Sequence, residues 1–306
     1  SSPGIRHHEA RTDALIRSAP RPASQIDDSA FTWEEPGIKP WQPQNYDKTT
    51  GEPVMLVDAL AHSLNIPTVR LGLAVGLDSV VNTLHKAGLQ EQVQAYPSLL
   101  LGSLTLSPFQ IAQLYQTLGG DGEYRPLYAV QQVNDAHGQV LYRADLSAER
   151  RWSEMGNYLT LYAMSQVTRS GTARSLKWRI PKVDLAGKTG TTNDLRDSWY
   201  VGIDQREIIT VWVGRDDNKP AGVTGSSAAL PVYAAYLKTS YPQSLRPMQP
   251  DNLAWVHFSQ ASGQPVAVGC GDTQLLPAPS EQTKLAKGCV KQAASKAKTW
   301  LQSLFN

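Results

Sequence analysis

Two short strings in this sequence hold side chains suited to acyl-transfer chemistry. Lys188-Thr189-Gly190-Thr191-Thr192 combines a cation with three hydroxyls, and Gly187 and Gly190 flank the lysine. Glycine inside a strand lets another backbone approach closely, so an extended peptide substrate is able to pair with it. The lysine supplies positive charge, the threonine hydroxyls suit a terminal carboxylate, and a free N–H beside them suits an oxyanion. The plainer alternative is an exposed strand end with a solvated lysine. In Ser63-Leu64-Asn65 the serine and asparagine stand two apart and are able to face one cleft. The serine then relays a proton to a leaving group while the asparagine holds a substrate carbonyl. The plainer alternative here is a helix C-cap, where Asn is common.

Both strings need elements to position them. Val54 to His62 has apolar residues at helical spacing, and the spacing predicts a helix that ends over Ser63 to Pro67, where proline stops continuation. Leu77 to Ala87 reads as a second helix. Ser107-Pro108 is a strong helix start, serine as N-cap and proline at the first position, and Gly119-Gly120 ends that helix. Tyr158 to Val167 reads as another. The period then changes. Val183 to Gly190, Ser198 to Ile203 and Ile208 to Val213 read as strands, the last two joined through Asp204-Gln205-Arg206 as an antiparallel hairpin. A helix over Leu230 to Leu237 follows. Helices, then an antiparallel sheet, then a helix make an α+β pattern.

Composition narrows the rest. Apolar content of 41% and charged content of 18% over 306 residues suit a packed globular protein. A net charge of +2 is too mild to argue for a nucleic-acid partner. No run of 18 apolar residues exists to span a bilayer. The first residues contain no signal-peptide core, so either the chain is cytosolic or a targeting segment lies elsewhere. Residues 1–24 read as loop or disordered, and Phe31 to Glu52, rich in Trp and Pro, as extended irregular backbone. After about Pro247 the composition shifts to an appendage with a helical end over Trp300 to Phe305. Cys270 and Cys289 in that appendage are either a local disulfide, which implies an oxidising compartment, or two unrelated thiols. Nothing in the sequence asks for a metal or organic cofactor.

Together the two strings are more specific than either alone, because S-x-N and K-T-G follow S-x-x-K as the motif set of penicillin-binding proteins and class A β-lactamases. Val54 to Gly72 (VMLVDALAHSLNIPTVRLG), Leu100 to Thr117 (LLGSLTLSPFQIAQLYQT), Gln166 to Ala173 (QVTRSGTA) and Ala186 to Asp217 closely resemble the transpeptidase domain of bifunctional class A penicillin-binding proteins, nearest the one-B type of Gram-negative bacteria. The resemblance runs from about Gln25 to Lys238 and divides the chain into an unmatched 1–24, a partial transpeptidase domain over 25–245 and an appendage over 246–306. It implies a β-lactamase/transpeptidase-like fold, an antiparallel sheet flanked by helices. It implies a serine-type D,D-transpeptidase that cross-links peptidoglycan: a serine attacks a D-Ala-D-Ala stem peptide, releases the last D-Ala and passes the acyl group to another stem's amine. β-Lactams acylate the same serine. Ser63 is then the proton relay, Asn65 positions the acyl chain, and Lys188 lends charge. Thr189, Gly190, Thr191 and Thr192 form the substrate-binding strand, with the Thr191 N–H in the oxyanion hole. The implied partners are stem peptides and β-lactams. The implied location is the periplasm, tethered to the inner membrane by an N-terminal anchor upstream of this sequence.

The sequence departs from the family pattern at one point. The nucleophile belongs to an S-x-x-K before the S-x-N, where lysine takes the serine's proton. Upstream of Ser63 that spacing is absent: Ser18, Ser24 and Ser29 are followed three positions on by Arg21, Asp27 and Thr32. Ser295-Lys296-Ala297-Lys298 has the spacing but reads as a solvated basic helix. The expectation is therefore a domain missing its N-terminal nucleophile helix, and a fragment more readily than a natural non-catalytic relative that binds or scaffolds stem peptides. A third reading, β-lactamase, needs the same serine and a deacylating carboxylate for which no motif is present.

Overall fold

The computed structural model describes residues 20–46 and 51–284. In chain order the elements are β1 (Gln25–Ile26), β2 (Val54–Met55), α1 (Leu56–Ala61), α2 (Asn65–Val75), α3 (Leu77–Lys86) and α4 (Pro108–Gly119). Then come β3 (Glu123–Tyr124), β4 (Gln132–Asn134), β5 (Val140–Arg143), β6 (Glu149–Arg150), α5 (Glu154–Arg169) and α6 (Leu176–Arg179). The last are β7 (Ala186–Thr191), β8 (Ser198–Ile203), β9 (Ile208–Val213), α7 (Leu230–Ser240), β10 (Leu253–Ser259) and β11 (Thr273–Pro279). The architecture is α+β. The chain divides into two units, Ser1–Gly76 with Pro97–Gly102 and Gln249–Asn306, and Leu77–Tyr96 with Ser103–Met248.

In the second unit β7, β8 and β9 form an antiparallel sheet in that order, with Lys188 opposite Val201 and Gly190 opposite Trp199. The β8–β9 turn is fixed by buried Asp204, whose Oδ1 accepts from the Arg206 and Glu207 amides, both at 2.7 Å. Helices cover both faces. Tyr233 of α7 packs on Tyr200 with ring centroids 4.8 Å apart, and a Cβ on Gly202 would meet the Tyr233 ring at 2.2 Å. Gly202 is therefore glycine for close helix approach. On the opposite face, Gly119 of α4 lies against Ile208 and Ile203. Helix α4 starts as its sequence requires, with a capping box between Ser107 and Gln110 and proline at its first turn.

In the first unit α1 and α2 pack through Val57, Ala59, Ala61, Ile66 and Val69, all buried. One expectation is corrected here. Pro67 does not end a helix but sits in the first turn of α2, where the backbone N–H it lacks would have no helical partner anyway. The segment 20–24 is a loop without regular structure and is tied to the first unit. Ala23 is fully buried, and the Leu56 and Val57 amides donate to the Ser24 and Pro22 carbonyls. Residues 1–19 lie outside the described ones. The hairpin β10–β11 groups with this unit: the Arg21 guanidinium donates to the Gly263 carbonyl at 3.2 Å and lies 5.2 Å from the Phe258 ring centroid. Cys270 is disulfide-bonded. Cys289 and the helical end expected over 300–305 lie outside the described residues.

Candidate active site

Ser63 occupies an unusual backbone position. Its φ is +55°, and the bonds around it define a Schellman end to α1: the Leu64 amide donates to the Ala59 carbonyl at 2.9 Å and the Ser63 amide to Leu60 at 3.2 Å. Glycine usually fills that place, because a Cβ is disfavoured in the left-handed region. Serine there carries strain of about 1 kcal/mol, and the motif fixes where its hydroxyl stands.

Asn65 opens α2 one residue after an N-cap, Leu64, that has no side-chain oxygen. The cap comes from elsewhere. Asn45 Oδ1 accepts the Ile66 amide at 3.0 Å, and Asn45 Nδ2 donates to buried Asp28 at 2.7 Å. The Asn65 side-chain amide donates to the Gln44 carbonyl at 2.7 Å. Gln44 and Asn45 therefore brace the S-x-N turn.

In the second unit Lys188, Thr189, Gly190 and Thr191 lie on β7, an edge strand among the described strands. Strand alternation puts Lys188 and Gly190 on one face and Thr189 and Thr191 on the other. Burial lowers the Lys188 ammonium to a pKa of about 8, and its Nζ donates to the Thr189 carbonyl at 2.9 Å. Thr189 Oγ1 lies 2.7 Å from Thr172 Oγ1. Thr191 Oγ1 accepts from the Gly225 amide at 3.0 Å, which leaves its own O–H to donate. Gly225 is glycine for a reason: a Cβ there would stand 2.7 Å from the Gly190 and Trp199 carbonyls. Gly187 likewise leaves room for the Tyr200 hydroxyl, 2.2 Å from an added Cβ.

Thr192 is also held within the chain. Its hydroxyl donates to Asp197 Oδ2 at 3.0 Å and accepts the Asp197 amide at 2.8 Å, while Trp212 Nε1 donates to Asp197 Oδ1 at 2.9 Å. It closes the β7–β8 connection. Ser63 and Asn65 belong to the first unit and Lys188 to Thr192 to the second. Sequence reasoning missed Gln44, Asn45, Thr172 and Gly225. Thr172 and Gly225 had faint signals, a Gly-Thr pair after a helix and a Thr-Gly-Ser-Ser run; Asn45 had none. Among the described residues no group of three or more His, Cys, Asp or Glu side chains is placed to hold a metal ion.

A sheet flanked by helices, with Lys-Thr-Gly on its edge strand, defines a domain of the class shared by penicillin-binding proteins and class A β-lactamases. The family model "Penicillin binding protein transpeptidase domain" matches residues 14–238, and the chain belongs to that family. Penicillin-binding protein 1B of Vibrio cholerae is 40% identical over 284 residues, covering 92% of this chain and 36% of the relative. Penicillin-binding protein 1B of Haemophilus influenzae is 43% identical, covering 77% of this chain and 30% of the relative. The chain thus spans about a third of the length of these curated relatives. Among solved structures, penicillin-binding protein 1A of Haemophilus influenzae superposes with a TM-score of 0.78 at 24% identity, over 91% of this chain and 48% of that one. PonA1 of Mycobacterium tuberculosis in complex with penicillin V gives 0.61 at 24% identity, over 79% of this chain and 71% of that one. These two likenesses show the fold.

Proposed function

We propose that this chain recognises D-Ala-D-Ala stem peptides as part of a peptidoglycan D,D-transpeptidase, and that β-lactams engage the same surface. The observation that carries the reading is the edge strand β7, which offers a buried cation from one face and, from the other, two hydroxyls held in place by Thr172 and Gly225. An extended peptide adds to such an edge through main-chain hydrogen bonds. Its terminal carboxylate meets Thr189 and Thr191, with Lys188 providing the charge. The Thr191 N–H serves the oxyanion. Ser63 relays the proton to the departing D-Ala amine, and Asn65 holds the acyl-chain carbonyl.

The attacking serine has no assignment in this sequence, because residues 1–62 contain no S-x-x-K. That observation favours a second reading, a stem-peptide binding or scaffolding role without acylation. Two measurements separate the readings. Labelled penicillin is expected to leave no covalent adduct on this chain, and a stable adduct would place a nucleophile in it. Calorimetry with an N-acetylated L-Lys-D-Ala-D-Ala peptide is expected to show reversible binding that Lys188→Met weakens. No heat of binding to a folded sample would end both readings. The proposed location is the periplasm, where a disulfide at Cys270 is chemically favoured.

A further inference from the structure

We propose that the short helix α6 and its flanks form a second contact for the peptidoglycan polymer, a platform for the carboxylate-bearing glycopeptide strand beyond the D-Ala-D-Ala terminus. The inference rests on the function proposed above for the substrate class. From Met155 to Val183 the sequence has no acidic residue and five cations, Arg169, Arg174, Lys177, Arg179 and Lys182. Only Arg169 forms an ion pair among the described residues, with Asp184 at 3.0 Å. The other four are exposed.

Packing sorts this segment into two sides. Ala173, Leu176 and Ile180 are buried and anchor it to the second unit. Arg174, Lys177 and Arg179 are left outside, and with them Trp178, whose exposure is 74%. Folding would gain about 2–3 kcal/mol by burying an indole of that size, so its placement in water among cations does not serve the core. Exposed tryptophan beside arginine is the composition of a contact surface.

The chemistry names the partner. Peptidoglycan stems carry free carboxylates, which guanidinium and ammonium groups bind through charge-assisted hydrogen bonds. Its sugar rings present faces of weakly positive C–H groups, and the indole face carries the complementary negative quadrupole. The position fits as well. The segment begins just after Thr172, whose hydroxyl meets Thr189 of β7, so its first residue is tied to the strand proposed to take the peptide terminus.

The test uses the full 306-residue chain and purified sacculi in a co-sedimentation assay. Trp178→Ala and the triple variant Arg174→Gln, Lys177→Gln, Arg179→Gln are each expected to weaken sacculus binding about tenfold or more. All four positions are exposed, so thermal melts should match the parent. Raising salt should weaken the parent more than the triple variant. Binding of the short acetylated D-Ala-D-Ala peptide should be unchanged in both. Sacculus binding unaltered in both variants would overturn the proposal. So would an equal loss for the short peptide, or a loss seen only with phosphatidylglycerol vesicles. Sacculus binding that depends on the platform while the short peptide gives no heat would support it and count against the proposed function instead.

Discussion

Thr172 Oγ1 and Thr189 Oγ1 stand 2.7 Å apart, which ties the turn after α5 to the strand that carries Lys188. Two hydroxyls share one hydrogen in such a bond, so one O–H remains for a ligand. Thr172 thereby fixes the rotamer from which Thr189 acts. Thr172→Val keeps the shape and deletes the bond. Affinity for the acetylated D-Ala-D-Ala peptide is expected to fall about fivefold, the worth of roughly 1 kcal/mol. Thr172→Ser should retain it. Calorimetry on both variants makes the comparison, and equal affinities would remove Thr172 from the site.

Ser63 gives a prediction of opposite sign for stability and function. With φ at +55°, Ser63→Gly relieves strain of about 1 kcal/mol and adds about half that in unfolded-chain entropy. Its stability in urea should lie within about 1 kcal/mol of the parent. Ser63→Val, β-branched in the same region, should lose about 1–2 kcal/mol. If glycine proved the more damaging of the two, the left-handed assignment would be wrong. Both variants lose the hydroxyl proposed to relay the proton.

The sequence made some of this readable and hid the rest for physical reasons. Helix α4 announced itself because its cap, its proline and its terminal glycines are all local. The β8–β9 hairpin was legible from two apolar runs and a four-residue break. Helix α2 was not, because Pro67 is tolerated in a first turn and the cap comes from Asn45, twenty residues upstream of its start. The bond between Thr192 and Asp197 was not legible either, because nothing local in the sequence shows that Asp197 folds back to meet that hydroxyl. Lys188, Thr189 and Thr191 were legible as a motif, but the Thr172 and Gly225 contacts that orient the two threonines are long-range.

The Asn45 brace predicts a local loss with a functional consequence. Asn45→Leu removes the acceptor of the Ile66 amide and a donor to buried Asp28. Losing a cap and disturbing a buried carboxylate should cost about 1–3 kcal/mol. Amide exchange at the start of α2 should rise more than across the β7–β9 sheet. A uniform increase throughout would mean that the brace has no local role.

Lys188 gives the pH prediction. Its folded pKa is lowered by burial from 10.5 to about 8, so between those values the unfolded chain holds more protons and stability rises with pH. Below about pH 8 the buried charge is a standing cost. Lys188→Met should therefore raise stability at pH 7 by on the order of 1–2 kcal/mol, less than the full shift implies because the side chain keeps some solvent. The advantage should shrink steadily as pH rises from 8 toward 10. Ligand binding runs the other way: affinity for a carboxylate-ended peptide should fall as the parent deprotonates above about pH 8, with no such inflection in Lys188→Met. A bound carboxylate also strengthens the lysine's hold on its proton, so binding near pH 8 should take up a fraction of a proton. Calorimetry in two buffers of different ionisation heat reads that uptake directly, and identical heats in both would rule out Lys188 as the carboxylate's cation.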